Sequence, residues 1–423
     1  MKRISLVALA LVAGSLSAQE VKVNALVDLW YNQVIGRNLR VDKQVSSNVG
    51  DASATTPAYY NLNSAFTENG FTIRRAEIYL SGKVIDDLAF NVVFDPNLTT
   101  STTNPTIVHD AFLTYNLTKD LYLRAGQFKP LQTYEATLQS ANDLLFYDRS
   151  QLARVFGDKR DRGIVASYGW GDTSALYGRV NVGFFNGSTD RDGGKAVDAN
   201  AQKDYATRID FGYGKFQKFG FYGKVGSTDT ADKNGLVAST FTYAGTKAPT
   251  AAQILENKDK TTDFGVYYNF ENEHWVANAE AITGLLGRRF ASVGGTSGSA
   301  ALRQHLDQKF FGFVLTGAYR VGRHTFGLRY DYLNYNQGDK FYGPYNPYTQ
   351  NTTSGASLGA DYTPKYTEVV AGWTYALHPA KWKLANLKVN YIHRSDNFLR
   401  PSQTGQTGEQ GGDNVVVALQ VGF

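Results

Sequence analysis

Sixteen stretches of this 423-residue chain alternate apolar and polar residues, and the links between them alternate between short and long. A period of two belongs to strands that show an apolar face to one side and a polar face to the other. In VKVNALVDLWYN (21–32), Val21, Val23, Ala25, Val27, Leu29 and Tyr31 share one face. Lys22, Asn24, Asp28 and Asn32 share the other with Leu26 and Trp30. At the C-terminus Val415, Val417, Leu419, Val421 and Phe423 oppose Gln420 and Gly422. The same reading predicts strands near 21–33, 71–84, 87–95, 107–117, 121–130, 163–169, 174–186, 205–214, 219–228, 262–270, 274–284, 310–320, 324–334, 365–376, 384–394 and 413–423. Seven links are short, such as VIDD (84–87), LTKD (117–120) and VGRH (321–324). Eight are long, among them 34–70, 131–162 and 335–364. An even number of antiparallel strands with both termini on the short-turn side satisfies that pattern.

Strands of roughly 9–11 residues are long enough to cross a bilayer when tilted. In lipid every backbone polar group needs a partner within the protein, so a spanning sheet must close on itself. The expected fold is therefore all-β: a transmembrane antiparallel β-barrel of about sixteen strands over 19–423, with long extracellular loops and short periplasmic turns. Leu88, Phe90, Val92 and Phe94 on one strand, and Phe264, Val266, Tyr268 and Phe270 on another, supply its lipid face. Trp30, Tyr31, Trp275, Trp373 and Tyr375 lie near strand ends and fit interfacial girdles. A soluble all-β protein would require the strand lengths, the loop alternation and the N-terminus all to mislead. After residue 20 no stretch approaches the ~20 apolar residues of a membrane helix.

The N-terminus, MKRISLVALALVAGSLSA, places Lys2 and Arg3 before an apolar run and then small residues, the pattern of a secretory signal peptide. Cleavage after Ala18 is expected, with the mature chain in the outer membrane of a Gram-negative cell. Loss of Lys2 and Arg3 lowers the formal charge from +5 to about +3, too mild to indicate a nucleic-acid partner. The chain has no cysteine, so neither disulfides nor a lipidated cysteine is available, and ladder hydrogen bonds and packing must hold the fold.

Three stretches carry a family resemblance. FTIRRAEIYLSGKVIDDLAFNVVFD (71–95) is followed by HDAFLTYNLTKDLYLRAGQFKP (109–130), and then by LFYDRSQLARVFGDKRDRGIVASYG (145–169). With the terminal VALQVGF they resemble the phosphate-selective porin O and P family of Gram-negative outer membranes. The family more often has glutamate at the position of Asp148. The resemblance implies a trimeric sixteen-stranded channel whose arginines and lysines bind phosphate at a constriction. Outer-membrane lipid, lipopolysaccharide, further copies of the chain and small anionic solutes are the expected partners.

Anion selectivity in a pore comes from Arg and Lys at its narrowest part, and arginine's planar fork suits phosphate. The long link 131–162 can fold into the lumen as a constriction. Its end holds Arg149, Arg154, Lys159, Arg160 and Arg162 against Asp158 and Asp161, a local +3. An ordinary solvated loop with internal ion pairs explains the same residues. By parity the lumen also sees Arg179, Arg208, Lys224, Arg329 and Lys388, with Glu77, Asp110, Asp210, Asp263, Glu280, Asp331 and Glu368. That mixed wall suits a water-filled pore. In LYLRAGQFK, Arg124 lies deeper than Lys129 and is assigned inward, because arginine facing lipid at mid-membrane costs ~2–4 kcal/mol. Lys129 sits where the ladder ends and can turn into the loop. Within FTIRRAEIYLSGKV, parity sends Arg75 to the lumen with Glu77. The same parity sends Arg74 outward, toward lipopolysaccharide or a neighbouring copy, unless a bulge turns both inward.

Nothing favours catalysis. The six histidines (109, 274, 305, 324, 378, 393) are scattered, and no metal-ligand spacing, GxSxG or phosphate-cradling glycine loop occurs. No cofactor and no metal are expected. The reading is a passive porin for small hydrophilic solutes that prefers anions such as phosphate or polyphosphate. A general or sugar-type porin with weak selectivity is the alternative, and an outer-membrane hydrolase a more distant one.

Overall fold

The computed structural model describes residues 20–36, 69–96, 107–187, 203–228, 242–243, 259–286, 290–293, 301–304, 308–337, 365–378, 383–395, 399–401, 406–408 and 412–422. The expected signal segment and Phe423 lie outside them. Sixteen strands close a barrel. The first eight are β1 (Glu20–Gly36), β2 (Gly70–Ile85), β3 (Leu88–Phe94), β4 (Val108–Asn116), β5 (Leu121–Phe128), β6 (Asp161–Trp170), β7 (Leu176–Phe185) and β8 (Asp204–Tyr213). The rest are β9 (Gln217–Thr228), β10 (Asp259–Glu271), β11 (Trp275–Leu286), β12 (Gln308–Val321), β13 (His324–Gln337), β14 (Lys365–Ala376), β15 (Ala385–Arg394) and β16 (Gly412–Gly422). Each pairs antiparallel with the next. β1 meets β16 from Leu26↔Gly422 to Gly36↔Asp413, so the sheet has no edge. All sixteen predicted strands are present with ends moved by a few residues, and seven short turns alternate with eight long connections.

Alternation sets which side chain faces which solvent. Val21, Val23, Val27 and Leu29 are exposed outside, whereas Leu26, Asp28, Trp30 and Asn32 are buried inside. Phe264, Val266 and Tyr268 lie on the same exposed apolar belt. Such a belt is tolerable only in hydrocarbon. Trp275 packs at a tilt against Tyr319, and His324, Trp373 and Tyr375 cluster at the short-turn end, as an interfacial girdle requires. Trp30 corrects the girdle assignment. Its even parity turns it inward, where it is 2% exposed, donates Nε1–H to Asp28 Oδ1 (2.9 Å) and packs edge-on against Tyr147.

Two bulges alter the parity on the inner wall. In the β1–β2 ladder Asp28 opposes Arg75 and Leu29 opposes Ile73, so Arg74 is an extra residue. Between β3 and β4, Val93 opposes Asp110 and Phe94 opposes Val108, so His109 is extra. Each bulge lets two successive side chains point to one side.

Candidate functional site

The long connection between β5 and β6, residues 129–160, is the only one of the eight that is described throughout. It contains a single α-helical turn, α1 (Tyr134–Leu138), a 3-10 turn (Ala141–Asp143) and a five-residue π-turn (Ala153–Gly157). Its apolar side chains pack on inward-facing residues of the far wall. Tyr134 and Leu152 join Tyr222, Tyr267, Ile282, Phe310, Val314, Leu333 and Tyr366, with Val155 and Phe156 alongside. Phe146 and Tyr147 join Trp30, Val370, Ile392, Val416 and Ala418.

Charged residues complete that attachment. Arg329 donates to the Asp148 carbonyl (2.8 Å) and pairs with Glu368 (2.8 Å) and Asp331 (3.0 Å). Arg154 reaches Glu368 at 3.1 Å, and Arg394 reaches it at 3.0 Å. Lys388 donates to the Leu144 carbonyl (2.6 Å), Glu280 accepts from the Tyr134 N–H (2.7 Å), and Gln132 bonds Asp263. Arg208 donates to the carbonyl of Thr133 (3.1 Å), which adopts φ 54°. A threonine is strained there by ~1–3 kcal/mol, and Arg208 helps to hold it. The wall charges predicted to face the lumen are thus largely engaged in holding this segment.

Between the segment and β2–β8 remains a cavity of about 560 Å³. Eight Arg or Lys and five Asp or Glu line it, a net excess of three positive charges. Depth can be read along the strands. Lys129 lies at the long-connection end of β5, Arg124 farther in, and Arg179 on β7 near the short-turn end.

Arg75 is 7% exposed and fully occupied, 2.9 Å from Asp28 and 2.7 Å from Asp148. Arg74 also turns inward, reaching Asp148 at 2.9 Å and lying over the Trp30 ring. Here the bulge overrides the parity that assigned Arg74 outward. Asp148 therefore receives two guanidinium groups. Burial raises its carboxyl, but Arg74 and Arg75 outweigh that and hold it well below the usual carboxylate range.

The remaining loop cations are paired as well. Arg149 sits 3.5 Å from Asp158 and donates to the Glu135 and Gln139 carbonyls. Lys129 lies 2.5 Å from Asp158, and Arg160 bridges Asp110 (3.0 Å) and Asp158 (3.6 Å). Burial raises the Asp158 carboxyl, yet Lys129, Arg149 and Arg160 together keep it well below its ordinary value. Burial pushes the Lys129 ammonium down to about 8 against the pull of Asp158. Lys159 is partly buried. Arg162 corrects the expectation of a lumen position. It is exposed on β6 in phase with exposed Ile164 and Tyr168, which is the outer face.

Arg124 and Arg179 differ from all of these. Arg124 lies over Phe112 (4.5 Å), Tyr122 (5.6 Å) and Phe128 (5.7 Å), and no carboxylate among the described residues pairs with it. Arg179 also lies over the Tyr122 ring (5.2 Å), donates to Ser167 Oγ (3.0 Å), is exposed to the cavity and likewise has no carboxylate partner among the described residues. Aromatic rings and one hydroxyl hold these two arginines, and their forks are not spent on a carboxylate among the described residues. The loop was the sequence's stronger signal. The cations without carboxylate partners lie on the wall, whereas Lys129, Arg149, Arg154 and Arg160 of the segment are paired.

The phosphate-selective porin O and P family matches residues 41–397 of the chain. No curated protein matches it. Among solved structures, the outer-membrane channel DcaP of Acinetobacter baumannii is similar at 15% identity, with 96% of this chain and 97% of that one covered and a TM-score of 0.54. An anion-selective porin from Comamonas acidovorans gives 11% identity, 96% and 99% coverage and a TM-score of 0.52. OmpT of Vibrio cholerae, also solved in a trimer form, gives 10% identity, 95% and 97% coverage and a TM-score of 0.52.

Proposed function

The chain belongs to the phosphate-selective porin O and P family and forms an outer-membrane porin channel, and from that premise we propose that its pore prefers anions, phosphate or polyphosphate among them. Segment 129–160 narrows the lumen to the passage along β2–β8. Arg124 and Arg179 then contact the solute directly, while Arg74 offers one face from near the outer end. Arg75, Lys129, Arg149 and Arg160 shape the passage and add positive potential rather than fork contacts, whereas Arg154 is spent on Glu368 outside it. The observation that carries this reading is the pair of wall arginines without carboxylate partners in a cavity with three excess positive charges.

The test is reversal potential and conductance in planar bilayers. An anion-biased potential, with chloride current blocked by added phosphate, is expected. Cation bias without block overturns the proposal. The five carboxylates in the same cavity favour the weakly selective alternative. A potential near zero with block by neutral sugars would establish that alternative.

Three further parts complete the proposal. Residues 1–18 act as a cleaved export signal, to be checked by N-terminal sequencing of the mature protein. Three copies associate, as the trimer form of OmpT does. The exposed Arg162, near the outer end of β6, meets lipopolysaccharide phosphate.

A further inference from the structure

We propose that Glu77, Asp95 and His109 form a binding site for a divalent transition ion of the zinc type on the cavity wall. The three come from neighbouring inner-wall positions: Glu77 on β2, Asp95 just after β3 and His109 on β4. Their ligand atoms all lie within 4.8 Å of one another. His109 reaches the site only because it is the extra residue of the β3–β4 bulge; the regular ladder would point it outward. Gln127 holds the bulge by donating Nε2–H to the His109 carbonyl (2.8 Å) and the Val108 carbonyl (3.2 Å). The Ala76 N–H donates to Asp95 Oδ1 (3.4 Å), and Tyr79 OH donates to Glu77 Oε2.

One ligand atom lacks what a closed structural cluster would provide. His109 Nδ1 is buried without a hydrogen-bond partner. Glu77 is 6% exposed, and its Oε1 lies 3.8 Å from His109 Nδ1, an ion-pair separation rather than a hydrogen bond. Nor do the nearby cations complete Glu77. Arg75 is taken by Asp28 and Asp148, and Arg160 by Asp110 and Asp158. A metal ion between the buried Glu77 carboxylate and that imidazole nitrogen would satisfy both. One nitrogen and carboxylate oxygens select zinc-like ions over magnesium or calcium, which prefer all-oxygen shells. Zinc bonds of ~2.0–2.2 Å need the three ligand atoms to draw together by only about an ångström. All three residues line the cavity, so the ion's remaining coordination position opens toward the passage. An ion there adds two positive charges beside the anion path and can take an anion oxygen directly. That consequence rests on the anion-pathway reading, whereas the site itself does not.

The test uses folded, detergent-solubilised protein dialysed against zinc in excess magnesium. One zinc per chain at micromolar concentration is expected, with binding at least tenfold weaker in H109Q and in E77Q. Zinc that is displaced by magnesium, is absent, or is unchanged in H109Q overturns the site. Should either variant fail to fold, X-ray absorption of the zinc-loaded wild type decides. One imidazole with oxygen ligands supports the site; two or more imidazoles, as on exposed histidines, overturn it. In bilayers micromolar zinc should shift the reversal potential further toward anions. Stoichiometric, His109-dependent zinc without that shift supports the site and overturns the anion-pathway reading.

Discussion

At the residue scale, the division of labour among cations follows from who their neighbours are. Arg74 and Arg75 share one buried carboxylate, Asp148, whereas Arg124 and Arg179 rest on aromatic rings and one hydroxyl. A charged hydrogen bond contributes ~1.5–3 kcal/mol, so R124A or R179A should weaken phosphate block by roughly ten- to a hundredfold. The lysine variants should fall in between, since they keep the charge and lose the fork. Concentration dependence of the block measures both. Lys129, with its ammonium at about 8, predicts a pH effect. Below that value it is charged; as pH rises through it the cavity loses one positive charge. Anion preference should decline with a midpoint near 8, and K129M should show no such step when reversal potentials are recorded from pH 6 to 10.

At the element scale, segment 129–160 behaves as a docked insert rather than a free loop. Asp148 joins it to β2, and the Glu368 network joins it to β13, β14 and β15. Replacing Asp148 by Asn leaves Arg75 with a single partner in a buried site, a change that costs about 3–5 kcal/mol when a buried pair is broken. Single-channel traces of D148N should show larger, noisier conductance as the segment loosens. Acid acts through the same groups with a definite sign. Asp148 and Asp158 have folded-state values below their unfolded value of 3.8. The stability they contribute is present above that value and is lost as pH falls through the lower folded values. The hold that these two carboxylates keep on the segment should therefore persist from pH 7 to about 4 and fail only in stronger acid, so D148N should abolish part of the conductance rise seen in strong acid.

At the scale of the whole molecule, the wall has uneven height. β3, β4 and β5 contain seven, nine and eight residues, whereas β1 and β2 contain seventeen and sixteen. Seven residues at ~3.3 Å each, tilted by ~40°, rise about 18 Å. That falls short of the ~25 Å apolar band of an outer-membrane barrel. Leu113, Tyr115 and Leu123 are exposed on the outer face of this low stretch. A neighbouring copy would cover the low wall more fully than lipid can. Light scattering in detergent should accordingly give a protein mass of three chains, and arginine at Leu113 should reduce it to one.

The barrel was legible in the sequence because its cause is local and repeated. Lipid outside and water inside impose a period of two on every strand, and chain reversal imposes short turns on one side. Strand number, closure and the inward direction of Arg75, Arg124 and Glu368 follow from those two rules. Family identity was legible in the same way, from contiguous stretches over 71–169. Parity fails where the ladder itself slips. Arg74 and His109 turn inward at single-residue bulges, which depend on how two strands pair and leave no period of their own. Trp30 read as a girdle residue because sequence shows that a residue lies near a strand end, and only packing against Tyr147 shows which solvent it avoids. The charge excess of the 149–162 stretch was visible, but its expenditure was not. Ion pairing joins residues far apart in the chain, such as Arg154 with Glu368, and only the closed barrel brings them together. Sequence alone therefore determined the envelope and the lipid-facing surface, where each residue answers to its solvent. The tertiary structure decided which cations remain available to a solute, because a charge is free or spent according to its neighbours in space.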